Sequence, residues 1–255
     1  MSESIESLRK RAAEALQARD LETARQLYEE AAAEQGFDIQ ATLRQGLMLL
    51  EGKSFQEAVA LLLRVVEACP LEVDALLGLT RVSLFLGRLQ DAENYLLGAK
   101  HLAPEHGVVY ALQGLLHEIK GQLAEALACA EQAAALQPND FLVSFNYGRL
   151  LGQDRRYEEA AEQLLQAIKQ KPDSYEAHYA LGITYVQRGL LTSAIATFET
   201  ALKLAPTDPD AYATLADVLV RANDPAQARE VLDEGIRFCG PHPGLLQKRH
   251  ALPPS

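Results

Sequence analysis

Five prolines stand in register at 70, 104, 138, 172 and 206, each 34 residues from the next with no insertion between them. A longer ladder at the same interval runs Ala24, Ala58, Ala92, Ala126, Ala160, Ala194 and Ala228. A third is mostly glycine, Gly46, Gly114, Gly148 and Gly182, completed by Ala12, Thr80 and Ala216. No other feature restricts the fold as much. A fixed period of this size means one supersecondary unit, repeated and stacked. Such a unit cannot bury its apolar surface alone, so neighbours must share one core.

The frame starts at residue 5 and gives units 5–38, 39–72, 73–106, 107–140, 141–174, 175–208 and 209–242. The stretch LKLAPTDPDAY, residues 202–212, shows how units join. Pro206 cannot continue a helix, since it has no amide hydrogen and its ring clashes with the preceding turn. Asp208 and Pro209 then read as an N-cap and first helical residue, so a new helix starts at once. Within a unit the pattern predicts two helices of about fourteen residues. The turn between them carries glycine or a polar residue: Gly87, Gly121, Gly189, Asn223. Helix, tight turn and helix make an antiparallel hairpin. Small residues recur where helix backbones approach closely. The expectation is that unit position 8, the glycine ladder, faces the alanine at position 20.

The sixth unit carries Leu181, Gly182, Tyr185, Gly189, Ala194, Phe198, Ala201 and Pro206 in slots that resemble the tetratricopeptide repeat signature. The resemblance covers nearly the whole chain. It implies an all-α, right-handed superhelical solenoid of seven helix–turn–helix repeats, with first helices lining the concave face. Residues 1–242 are then a single solenoid and 243–255 a short C-terminal cap or tail. Departures fall at the ends, where Gly36 and Gly240 replace the proline. In the tail, GLLQKRHAL is a short helix candidate and a thin cover, so the last unit is expected to fray or to be covered by another chain.

By the same resemblance the concave face uses unit positions 2, 5, 9, 12 and 13 of the first helices. Positions 5, 9 and 12 share one stripe because they step by four and three. In units two to six that stripe reads Leu43, Leu47, Leu50; Leu77, Arg81, Leu84; Ala111, Leu115, Glu118; Phe145, Arg149, Gly152; Tyr179, Ile183, Val186. An apolar stripe facing solvent invites association. Two readings stand: curvature packs these side chains on the adjacent unit, or they form a groove for an extended peptide or an amphipathic helix. Arg81 and Arg149 share a unit position and suit either a ligand carboxylate or local acids such as Glu118. Two recognition modes known in the family do not carry over. No consecutive units supply a carboxylate clamp, and of an asparagine ladder at position 6 only Asn146 is present.

The chain holds 35 acidic residues against 24 basic ones, a net charge of −11. That balance disfavours nucleic acid and anionic membrane surfaces. The first twenty residues have no continuous apolar run of the secretory kind, and AVALLLRVV at 58–66 is too short to span a bilayer. Cys69, Cys129 and Cys239 cannot all pair, which points to reduced thiols and a cytoplasmic protein; an exported form with its signal removed is the alternative. The six histidines include no pair at helical ligand spacing, and neither a phosphate-cradling loop nor a nucleophile elbow is present. The expectation is a non-enzyme without cofactor or metal: an adaptor or scaffold for a protein or peptide ligand, with self-assembly into a homo-oligomer a further expectation. The alternatives are a secretion or pilus-assembly accessory chaperone and a noncatalytic regulatory subunit of a separate enzyme.

Overall fold

In a computed structural model, residues 4–252 are described. Among them the chain is all-helical, and it divides into two compact units, residues 1–116 and 117–255. The first helices of the repeats are α1 Ile5–Gln17, α3 Ile39–Glu51, α5 Val73–Phe85, α7 Gly107–Ile119, α9 Phe141–Gln153, α11 Tyr175–Gln187 and α13 Pro209–Arg221. The second helices are α2 Leu21–Glu34, α4 Phe55–Ala68, α6 Leu89–Leu102, α8 Leu123–Leu136, α10 Tyr157–Gln170, α12 Leu191–Leu204 and α14 Pro225–Cys239. A final helix, α15, spans Pro243–Ala251.

Local chemistry starts and stops these helices. Asp38 accepts a hydrogen bond from the Ala41 amide at 2.8 Å, and Asp140, Ser174 and Asp208 cap α9, α11 and α13 in the same way. At the other end, the residue before each ladder proline has left the helical region, from Lys171 with φ −135° and ψ 85° to Cys69 with φ −141° and ψ 99°. A following proline disfavours the helical conformation at the residue before it. The hairpin turn has its own constant. Unit position 15 has positive φ in all seven repeats: Gly87, Gly121 and Gly189, but also Arg19, Lys53, Arg155 and Asn223. The four side-chain-bearing residues are held in a left-handed conformation that glycine adopts without a Cβ clash.

All seven ladder alanines have no accessible surface. The glycine ladder has a different partner from the one expected. A Cβ on Gly182 would lie 2.8 Å from the Phe198 ring, one on Gly148 2.8 Å from Leu164 Cγ, and one on Gly46 3.0 Å from Leu62 Cδ2. Position 8 therefore admits the large side chain at position 24, while the alanine at position 20 contributes backbone, as the Ala160 carbonyl beside Gly148 shows. Bulk at position 24 needs vacancy at position 8. Burying Phe198, Leu62 or Leu164 in this way stabilises by about 1.5–3 kcal/mol each. A further small ladder accompanies it at position 27: Ala31, Val65, Ala99, Ala133, Ala167, Ala201 and Gly235, all buried.

In the second unit α15 covers the end of the stack. Leu245 is fully buried in the cluster that holds Tyr212, Leu215, Leu219 and Leu232. Lys248 reaches Asp217 on α13 at 2.6 Å, and Arg249 reaches Asp233 on α14 at 2.6 Å. Gln247 and His250 face solvent. The tail helix thus takes the place of a next first helix and presents a polar outer side. The expected thin cover is a seated cap, and the seventh hairpin's core is closed by the chain itself.

Candidate functional site

The stripe on α3, α5, α7, α9 and α11 is a mixture of buried and half-buried residues. In the first unit, Leu43 is buried with Leu62 and Leu79, and Leu47 packs against the same cluster. Leu50 is buried beside Ala58 and Val82. Leu77, Leu84 and Ala111 are buried, whereas Arg81 and Leu115 are half-buried. In the second unit, Phe145 is half-buried against Ala161, Leu164 and Leu181. Val186 is buried, and Tyr179 and Ile183 pack beside it. The Tyr179 ring meets Phe198 edge-on at 5.5 Å, and its hydroxyl lies 3.2 Å from that of Thr214. No member of the stripe is fully exposed. Leu43, Leu50, Leu77, Leu84, Ala111 and Val186 are buried. Leu47, Leu115, Phe145, Tyr179 and Ile183 keep part of their apolar surface open.

Arg149 is engaged locally. Its guanidinium donates to Glu118 Oε2 at 2.5 Å, and the Gln153 amide donates to the other oxygen of that carboxylate. Glu118 is thus held between two first helices, α7 and α9. Asn146 is buried, and its amide nitrogen makes no hydrogen bond, so it presents no donor to a ligand at the surface. Tyr175 donates to Asp208 Oδ2 at 2.5 Å, and burial together with that carboxylate pushes its phenol well above the usual tyrosine range.

The large apolar side chains left open lie elsewhere. Phe85, at unit position 13, is 67% exposed although its ring lies against that of Phe55, centroids 4.1 Å apart and planes tilted by 34°. Ile119 occupies the same position in its repeat and is also exposed. Met48 on α3 is 72% exposed. Position 13 belongs to the family's concave set, so Phe85 and Ile119 were within reach of the sequence pattern; the stripe through 5, 9 and 12 passed them by.

Among the described residues no group of three or more His, Cys, Asp or Glu side chains is arranged to hold a metal, and no helix is long and apolar enough to cross a membrane. His117 is half-buried, with Nδ1 2.8 Å from Gln122 Oε1. None of the three cysteines forms a disulfide, and burial pushes the Cys69 thiol up.

Known proteins agree with this architecture. A family model described as tetratricopeptide repeat matches residues 9–73, 112–167 and 145–209, and a second of the same description matches 185–237. A curated relative, the cellulose synthase 2 operon protein C of Komagataeibacter xylinus, is 40% identical over 74 residues, which are 29% of this chain and 6% of that protein. A chain of the APC/C hetero-tetramer Cut9–Hcn1 superposes with a TM-score of 0.73 at 16% identity, covering 88% of this chain and 44% of the other. PilW, a widely conserved type IV pilus biogenesis factor, superposes with a TM-score of 0.66 at 16% identity, over 82% of this chain and 97% of PilW. At such identity the structural likenesses speak to the fold alone. The repeated hairpins, the ladders that pack them and the family matches over more than half of the sequence agree: this chain belongs to the tetratricopeptide repeat family.

Proposed function

We propose that the chain is a noncatalytic adaptor whose first-helix face holds a segment of another protein, either an extended peptide or one side of an amphipathic helix. The observation that supports this reading is the division within the stripe. Within residues 117–255, Val186 is buried while Phe145, Tyr179 and Ile183 are half-buried with apolar surface still open, and within residues 1–116 Leu77 and Leu84 are buried while Leu47 is half-buried. Partly open side chains already held by buried neighbours keep the ordering cost of binding low. Three cysteines, an odd number, suit a reducing compartment such as the cytoplasm, and the charge of −11 favours protein over nucleic acid as partner.

The test is a crosslinking pull-down with wild-type protein beside a Tyr179→Ala, Ile183→Ala double variant. Both residues are half-buried, so helicity is expected to persist while a stoichiometric partner is lost. Recovery of the same partner at the same stoichiometry would remove the first-helix face from consideration. Leu77 is unsuitable for this purpose because it is buried, and a charge there would disrupt the core. A second reading, an accessory subunit serving a separate enzyme, draws support from the 40% identity to the cellulose synthase operon protein over 74 residues. Co-purification of an enzyme would favour it.

A further inference from the structure

The second unit contains a cleft of about 460 Å³ on its second-helix side, between α12 and α14. Its floor is apolar: Leu202 from α12, with Tyr212 and Leu215 from α13, all buried. Val231 and Phe238 line its α14 wall, and Phe238 is 53% exposed. The rim is acidic, with Glu199 on one side and Glu230 and Glu234 on the other; Lys203 is the single cation in the lining. Glu230 and Glu234 are one helical turn apart, so their carboxylates follow each other along the same wall. The equivalent positions hold Ala128 and Gln132 on α8, Glu162 and Gln166 on α10, and Ala196 and Thr200 on α12. Among the second helices of this unit, only α14 has carboxylates at both of these positions.

We propose that this cleft is a docking site for a basic amphipathic helix of another protein. The partner's apolar side chains enter between Val231 and Phe238, and its Lys or Arg residues meet Glu199, Glu230 and Glu234. Charge complementarity selects the occupant. Three carboxylates around an apolar floor repel an acidic segment, and a purely apolar segment would leave them desolvated and unpaired. The alternation of acid and apolar side chains along α14 matches a helix that carries both kinds of group on one face. This site does not depend on the first-helix face.

A fluorescently labelled synthetic helix of alternating Leu and Lys faces serves as the probe, titrated by polarisation against the full chain. Saturable, salt-sensitive binding is expected. Glu230→Gln with Glu234→Gln should weaken it about tenfold, as loss of close charge pairs does. Phe238→Ser should weaken it as well, at unchanged helicity and melting midpoint. The Tyr179→Ala, Ile183→Ala variant should bind like wild type, and a probe with Glu in place of Lys should not bind. Equal weakening by Glu57→Gln with Glu67→Gln, two exposed acids in the first unit, would reduce the effect to general acidity and overturn the proposal. So would full binding by the Phe238→Ser variant. Loss of binding only in the Tyr179→Ala, Ile183→Ala variant would place the probe on the first-helix face, sinking this site and leaving that reading in place.

Discussion

The joint after the first repeat and the joint after the second occupy the same place in the frame and are built differently. Gln35 ends α2 with helical dihedrals, φ −85° and ψ −4°, and Gly36 follows with φ +68°. The amides of Gly36 and Phe37 donate back to Ala33 and Ala32, each at 2.9 Å. Cys69 ends α4 in an extended conformation, φ −141° and ψ 99°, its amide donating to Val65 at 2.8 Å, and Pro70 follows. The packing differs accordingly. α4 docks against α5, whereas α2 makes more of its contact with α4 than with α3. Met48 and Val82 stand at the same position of successive first helices, and the one behind the glycine joint is open while the one behind the proline joint is fully buried. Proline forces the preceding residue out of the helix and sends the chain into the next hairpin along one path. Glycine allows a left-handed step, and the hairpin before it leaves α3 partly uncovered.

If that contrast lies in the joint and not in the hairpin, overpacking the hairpin should cost the same on both sides of it. Ala24→Leu and Ala160→Leu are each expected to destabilise by about 1–3 kcal/mol, read from denaturant midpoints. A silent Ala24→Leu beside a costly Ala160→Leu would mean that the first hairpin is itself looser. The direct consequence of the joint is tested by Val82→Ala, which should cost about 1.5–2 kcal/mol, against Met48→Ala, which should stay within about 0.5 kcal/mol. Comparable losses would show that Met48 is buried in solution. Next, Gly36→Ala places a side chain at φ +68° and should cost about 1–2 kcal/mol, with hydrogen exchange rising first in α1 and α2. Pro206→Ala, which only loosens the unfolded chain, should cost about 0.4–1 kcal/mol. Smallest and opposite in sign, Lys53→Gly and Arg155→Gly should each stabilise by about 0.5 kcal/mol, since both residues hold left-handed turns. A destabilised Lys53→Gly protein would imply a native contact of the Lys53 side chain that offsets the strain.

Much of this fold was legible because its determinants are local and repeated. Pro206 with Asp208 and Pro209 encodes a stop and a start within five residues, and the cap at Asp208 forms as the sequence implies. The buried alanines were equally visible, since close backbone approach tolerates no larger side chain. The partner of the glycine ladder was not. Gly182 and Phe198 lie sixteen residues apart on different helices, and only the crossing angle decides whether Phe198 or Ala194 fills the glycine's vacancy. The stripe was legible as a list and not as a surface. Leu43, Leu47 and Leu50 read alike in sequence, yet the neighbouring hairpin covers Leu43 and Leu50 more fully than Leu47. The same applies to α15. GLLQKRHAL reads as a weak helix, and its hold comes from Leu245 in the core and from Asp217 and Asp233, acids of the preceding hairpin.

From its own order of residues this protein was bound to be a succession of helical hairpins at one spacing, because steric rules for proline, glycine and small contact residues act within a few positions of the chain. Which apolar side chains close on each other, and which stay open to a partner, depended on how each hairpin tilts onto the next. That tilt comes from packing between segments a full repeat apart, and the position that is bare behind the Gly36 joint, at Met48, is buried behind the Pro70 joint, at Val82.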